Sequence, residues 1–132
     1  MPAQHWLLVR GGADHLLPER VDPRRLQVHS STRRPSLQRG DLALCYASGW
    51  QAIFAVVEIT GDPQNDHTRE RWQWRVPIRP LQAVARLDSA PPVEAAGVFP
   101  RSLGRHSYIR LSAEQFELGR AALNRVTRRA RG

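Results

Sequence analysis

The sequence predicts an α+β domain with a mostly β core, a long irregular insert near its start and one helix at its end. Three observations carry that expectation. Short apolar, β-prone runs recur between turn residues at His5–Arg10, Asp41–Tyr46, Gln51–Ile59, Trp72–Arg79 and Tyr108–Leu111. A polar stretch containing Pro18, Pro23 and Pro35 interrupts the first two of these runs. Beyond Ser112, the residues Phe116, Gly119, Leu123 and Val126 recur at helical spacing.

Taken in order, His5-Trp6-Leu7-Leu8-Val9-Arg10 reads as a first strand that Gly11-Gly12 stops. The insert, residues 13–38, has room for a short helix around Asp14 to Glu19 and another near Pro23 to Val28. Two basic pairs, Arg24-Arg25 and Arg33-Arg34, flank Ser30-Ser31-Thr32 within it. Long irregular inserts between strands often serve function. Arg39-Gly40-Asp41 then makes a turn into the second strand, where the Asp41 carboxylate is placed to accept local backbone N–H groups. Ala47-Ser48-Gly49-Trp50 joins the second and third strands as a hairpin connection, and Gly61 to Asp66 is a turn-rich loop. Trp72-Gln73-Trp74-Arg75-Val76-Pro77-Ile78-Arg79 alternates large with polar residues, and Pro77 puts this strand at an edge or a bulge. The segment from Pro80 to Leu87 fits a further strand or a helical turn. Ala90-Pro91-Pro92 opens a short helix that ends at Gly97. Ser112 and Gln115 form a capping-box pattern at the start of the last helix, and residues 127–132 form a frayed basic tail.

With 132 residues the chain holds one hydrophobic core and one domain. No apolar run approaches the roughly 20 residues of a membrane span, and Met1 to Trp6 lacks the character of a signal peptide, so a cytoplasmic location is expected. The lone Cys45 excludes an intramolecular disulfide and a multi-cysteine zinc site, and it reads as a buried, inert thiol. The five histidines show no metal-ligand spacing, so neither a metal nor a cofactor is expected. Ser48-Gly49 lacks the nucleophile-elbow pattern, and Asp62, Asp66 and His67 read first as a turn rather than a hydrolytic cluster. No catalytic residue is expected.

All 20 basic residues are Arg, and the formal net charge is +8. Arginine is weakly hydrated, forks onto phosphate and stacks on rings, so the expected partner is an anion and, most commonly, a nucleic acid. Tyr46 and Trp50 bracket the hairpin, where an aromatic side chain can stack on a base. Trp72 and Trp74 share one face of their strand by the period-two rule, which makes one a core residue and the other part of a cage. Trp6 fits either the core or a pocket floor. Ser30, Ser31 and Thr32 offer hydroxyls to a base edge or a phosphate. The loop Arg101 to Tyr108, and in it Arg105 and Ser107, is placed to clamp phosphates opposite Arg33 and Arg34.

The order His5-Trp6-Leu7, Arg39-Gly40-Asp41 with Tyr46, Ala55-Val56-Val57-Glu58-Ile59, Trp74-x-Val76-Pro77-Ile78 and Leu111-Ser112-x-Glu114-x-Phe116 resembles the EVE domain of the PUA-like superfamily, related to the YTH and ASCH domains. Val28-His29-Ser30-Ser31-Thr32-Arg33 stands where that family carries a Trp-x-Gly-Val-Arg-Asn-type segment. The resemblance implies a mostly antiparallel pseudo-barrel of five or six strands with short flanking helices. It also implies a pocket for a modified base, methylated or hydroxymethylated, extruded from DNA or RNA. Trp6, Ser30, Ser31, Thr32, Tyr46, Ala47, Ser48, Trp50 and Trp74 are the expected pocket residues, with Arg33, Arg34, Arg105 and Ser107 on the phosphates. A small ASCH-like ribonuclease and a protein-binding adaptor are the alternatives; oligomeric state is open.

Overall fold

The computed structural model describes residues 3–12 and 16–131, and for 128–131 the backbone alone. Seven strands form one curled mixed sheet that wraps into a half-barrel. They are β1 (His5–Arg10), β2 (Val28–Ser31), β3 (Leu42–Ala47), β4 (Ala52–Ile59), β5 (Gln64–Asn65), β6 (Trp74–Ala83) and β7 (Tyr108–Leu111). Their order is β2-β6-β4-β3-β1-β7, with β5 added beside β6. Among the described residues β1 and β3 run parallel and the other strand pairings are antiparallel. Among the described residues one α-helix, α1 (Ala113–Arg131), closes one face and extends into the segment expected as a tail.

Alternation along β1 separates two layers. His5 and Leu7 face α1, and the His5 ring sits 4.7 Å from that of Phe116. Gly119 lets the helix approach closely: a Cβ there would lie 2.4 Å from Leu44 Cδ1 and 3.2 Å from Ala96 Cβ. The helix begins as its sequence predicts. Ser112 Oγ accepts the Gln115 N–H at 3.0 Å, and Gln115 Oε1 accepts the Ser112 N–H at 3.0 Å. The other layer, inside the curl, contains Trp6, Leu8, Cys45, Ala55, Val57, Val76 and Ile78, all buried.

Several expectations change. The insert contains a strand, β2, and a three-residue 3-10 turn at Pro23–Arg25 rather than a helix to Val28. Of the helix expected over Asp14 to Glu19, the first two residues lie outside the described ones, and Leu16 to Glu19 forms none. The segment after Pro80 continues β6 to Ala83, which answers the strand-or-helix alternative. Nor is β6 an edge. Its first half pairs with β2 and β5, its second half with β4, and Pro77 stands at the joint, accepting the Thr60 N–H at 3.0 Å. Ala90 to Gly97 matches expectation in position, as a 3-10 turn over Val93–Ala96 ended by Gly97 at φ 74°.

The curl closes where β2 meets β1 and β7 without a ladder. Arg10 Nη1 donates to the Val28 carbonyl at 2.7 Å, and the Tyr108 hydroxyl accepts the Ser36 N–H at 3.2 Å.

Candidate nucleic-acid interface

The sequence reading gathered its site residues into one bowl; the structure divides them between the two ends of the half-barrel. At the end where β1 finishes, Ser48 N–H donates to the Arg10 carbonyl at 2.8 Å and Val9 N–H to the Ser107 carbonyl at 2.9 Å. Ala47, Ser48, Trp50, Arg105 and Ser107 therefore border this end, and the side chain of Arg105 is exposed on a backbone with φ 71°. Tyr46 is buried on the layer facing away from the curl's interior, and burial with the nearby Glu94 carboxylate raises its pKa.

A cleft of about 490 Å³ opens at the same end. Its floor is Leu26, Phe54 and Leu87, its walls are Leu17, Pro18 and Val21, and Arg10, Arg20, Asp22 and Arg25 surround them. Phe54 reaches it because of a bulge: Cys45 pairs with Ala55 but Tyr46 with Ile53, leaving Phe54 as the extra residue. A bulge of this kind re-aims a side chain relative to the regular pleat. Trp50 holds the wall from behind, its indole N–H donating to the Leu17 carbonyl at 2.9 Å. None of the nine expected pocket residues lines this cleft, and among the described residues Phe54 is the aromatic side chain that does. Sequence reading missed it because its lining comes from four separate stretches of chain and carries no local pattern.

At the opposite end lie Trp6, Ser31, Thr32, Arg33, Arg34 and Trp74. Trp6 is 5% exposed, and its indole N–H donates to Asp41 Oδ2 at 2.8 Å. The same carboxylate accepts the Gln4 N–H at 3.1 Å and the Gln38 N–H at 3.0 Å, so Asp41 has the structural role its turn position suggests. Trp6 meets Tyr108 edge-on at 5.6 Å. Ser31, paired with Trp74, is buried; Ser30 is half-buried on the outer face; Thr32 and Arg33 are exposed. The Arg34 guanidinium lies over the half-buried Trp74 ring, 5.6 Å from its centroid. A polar groove of about 560 Å³ adjoins it, lined by residues 34–39 with Asp62 and Pro63.

Between the two ends sits His29, which sequence reading passed over as a site residue. It is 2% exposed, and neither ring nitrogen has a hydrogen-bond partner in good geometry, although the Ser107 backbone lies beside it. Burial, reinforced by the Arg10 charge, lowers its pKa to about 4 against the favourable influence of Ser107. Burial likewise pushes the Cys45 thiol up to about 12, which keeps it protonated and unreactive. Among the described residues no group of three His, Cys, Asp or Glu is placed to hold a metal ion.

No protein-family model and no curated protein matches the chain in sequence. Solved structures do match in shape. A protein of Rhodopseudomonas palustris superposes with a TM-score of 0.63 at 17% identity, covering 92% of this chain and 94% of that one. A protein of Agrobacterium tumefaciens gives 0.59 at 16% identity, covering 91% and 93%. Human THYN1, solved in complex with DNA containing 5-methylcytosine, gives 0.61 at 15% identity, covering 94% and 98%. At such identities the likeness concerns the fold. The curled sheet, its closing helix and these superpositions agree with the resemblance in the sequence: the chain has the fold of the EVE-type domains of the PUA-like superfamily.

Proposed function

We propose that the chain is a nucleic-acid-binding module that admits one modified base, methylated or hydroxymethylated, into the cleft at the end of β1, without catalysis of its own. The cleft's composition carries this reading. An apolar floor of Leu26, Phe54 and Leu87 inside a rim of Arg10, Arg20 and Arg25 with one carboxylate, Asp22, suits a flat, weakly polar ring attached to an anionic backbone. Its volume of about 490 Å³ falls within the range usual for small-ligand sites, about 300–1,000 Å³. The shared fold with a protein solved on methylcytosine-containing DNA supports the choice of partner.

In this reading Arg20 and Arg25 attract the backbone in a salt-dependent way, and Arg105 and Ser107 reach the phosphates next to the extruded nucleotide. Extrusion costs a few kcal/mol of stacking, which is smallest for a base already unpaired. Phe54 offers the ring an aromatic contact, while Trp50 fixes the wall through Leu17. An added methyl group on an apolar floor contributes about 0.8 kcal/mol, so a preference of about fourfold for the methylated base is expected. The ribonuclease alternative has less support, because Tyr46 is buried on the other layer from the interior while Arg105 is exposed in a loop.

The test is affinity for matched oligonucleotides carrying cytosine or 5-methylcytosine, at two salt concentrations. Val21→Trp, which fills the cleft from its half-buried wall, should abolish the preference while keeping the salt slope. Arg25→Ala should weaken both oligonucleotides equally. An unchanged preference in Val21→Trp would overturn the placement of the base.

A further inference from the structure

The opposite end of the half-barrel presents a second set of groups that the cleft does not use. Trp72 is a large aromatic side chain, 41% exposed, on a backbone with φ 58° that a non-glycine residue rarely adopts. Two residues on, Trp74 starts β6 with Arg34 lying over its ring. Arg34 in turn heads the polar groove that contains Ser36, Gln38 and Arg39. Arg33 and Arg71 are exposed close by in sequence. Indole surface beside fixed and free guanidinium groups, leading into a polar groove, is the pattern of a track for unpaired nucleotides, where bases stack and phosphates meet cations. The chain's charge of +8 complements such a strand.

The spacing fits a strand that also reaches the cleft. Val28, whose carbonyl meets Arg10 at the cleft, and Ser31, paired with Trp74, are the two ends of β2. Three steps of strand separate them, about 10 Å.

We propose that this end is a binding track for single-stranded nucleic acid, with an unpaired base stacked on Trp72 and a phosphate held by Arg34 and Arg39 in the groove. The proposal builds on the reading of the cleft as a base site and names the kind of strand that site receives: one unpaired to one side of the modified base. A duplex that stays paired up to the modified base leaves Trp72 without a partner.

The probe is a 12-nucleotide oligothymidine, which carries no modified base and therefore reads the track alone. Binding is followed by quenching of tryptophan emission and by anisotropy of labelled oligonucleotide. Trp72→Ala should weaken binding about 5- to 150-fold, and Trp72→Phe should restore most of it. Arg34→Ala and Arg39→Ala should each reduce the salt slope by about 0.7. Trp72 is exposed, so its replacement leaves the core untouched, and circular dichroism of each variant confirms the fold. Equal affinity of wild type and Trp72→Ala for oligothymidine overturns the proposal, as does equal affinity for a blunt duplex and for the same duplex with a three-nucleotide overhang. A methylcytosine preference that survives in Trp72→Ala alongside such results would leave the cleft reading standing. A track that behaves as expected without any modified-base preference would remove the cleft reading instead.

Discussion

His29 makes the stability of this fold depend on pH in a calculable way. The ring is 2% exposed at the seam where β2 meets β1 and β7, with Arg10 nearby, the Ser107 backbone beside it and no well-formed hydrogen bond to either nitrogen. Its pKa falls from 6.5 in the unfolded chain to about 4 in the folded one. Between those values the unfolded chain binds the extra proton, so stability rises with pH: the contribution is complete above about 6.5 and is lost as pH falls toward 4. At about 1.4 kcal/mol per unit, the full swing is roughly 3 kcal/mol, most of which is gone at pH 4.5. That is a large part of the 5–15 kcal/mol typical of a domain. The assay is urea unfolding at pH 7 and pH 4.5 for the wild type and His29→Leu. The variant removes two buried nitrogens that make no well-formed hydrogen bond, so at pH 7 it should match the wild type within about 1 kcal/mol. At pH 4.5 it should be more stable than the wild type by about 2–3 kcal/mol. Parallel pH profiles for the two proteins would refute the reasoning, because they would place the titration elsewhere.

Three further outcomes follow from particular contacts. Asp41→Ala strands the N–H groups of Gln4, Gln38 and the Trp6 indole and should cost roughly 3–5 kcal/mol in urea unfolding, with Asp41→Asn recovering part of it. Gly119→Ala would gain about 1 kcal/mol in an isolated helix, yet here its Cβ collides with Leu44 and Ala96, so a lowered Tm by thermal unfolding is expected. Cys45, fully buried with its thiol pushed to about 12, should ignore an aromatic disulfide reagent at pH 8 in the native protein and react on unfolding in urea.

Much of the fold was legible because its signals are local. The runs His5–Arg10, Asp41–Tyr46 and Gln51–Ile59 are apolar over whole strands, and the Ser112–Gln115 box marks its helix through reciprocal bonds. Strand β2 was hidden because its two inward residues, His29 and Ser31, are polar, so its alternation shows no apolar face. The length of β6 was hidden by its prolines: Pro77 pointed to an edge or a bulge and the segment from Pro80 fitted strand or helical turn alike, whereas they stand where β4 pairing begins and where it bulges. The cleft was invisible for another reason. Leu17, Val21, Leu26, Phe54 and Leu87 are unremarkable in sequence, and only the curl of the sheet and the bulge at Phe54 bring them together. The aromatic residues that drew notice, Trp6 and Tyr46 above all, are occupied in the core, which is where large aromatic side chains usually settle.

The most direct test of the central claim is an amide chemical-shift titration of the isotope-labelled protein with a short single strand carrying one 5-methylcytosine, and with the same strand unmethylated. The account predicts that the methylated strand shifts the amides of Val21, Leu26, Phe54 and Leu87 more than its unmethylated twin does, while the exposed arginines respond alike to both. Identical shifts for the two strands, confined to the arginine-rich surface, would contradict it.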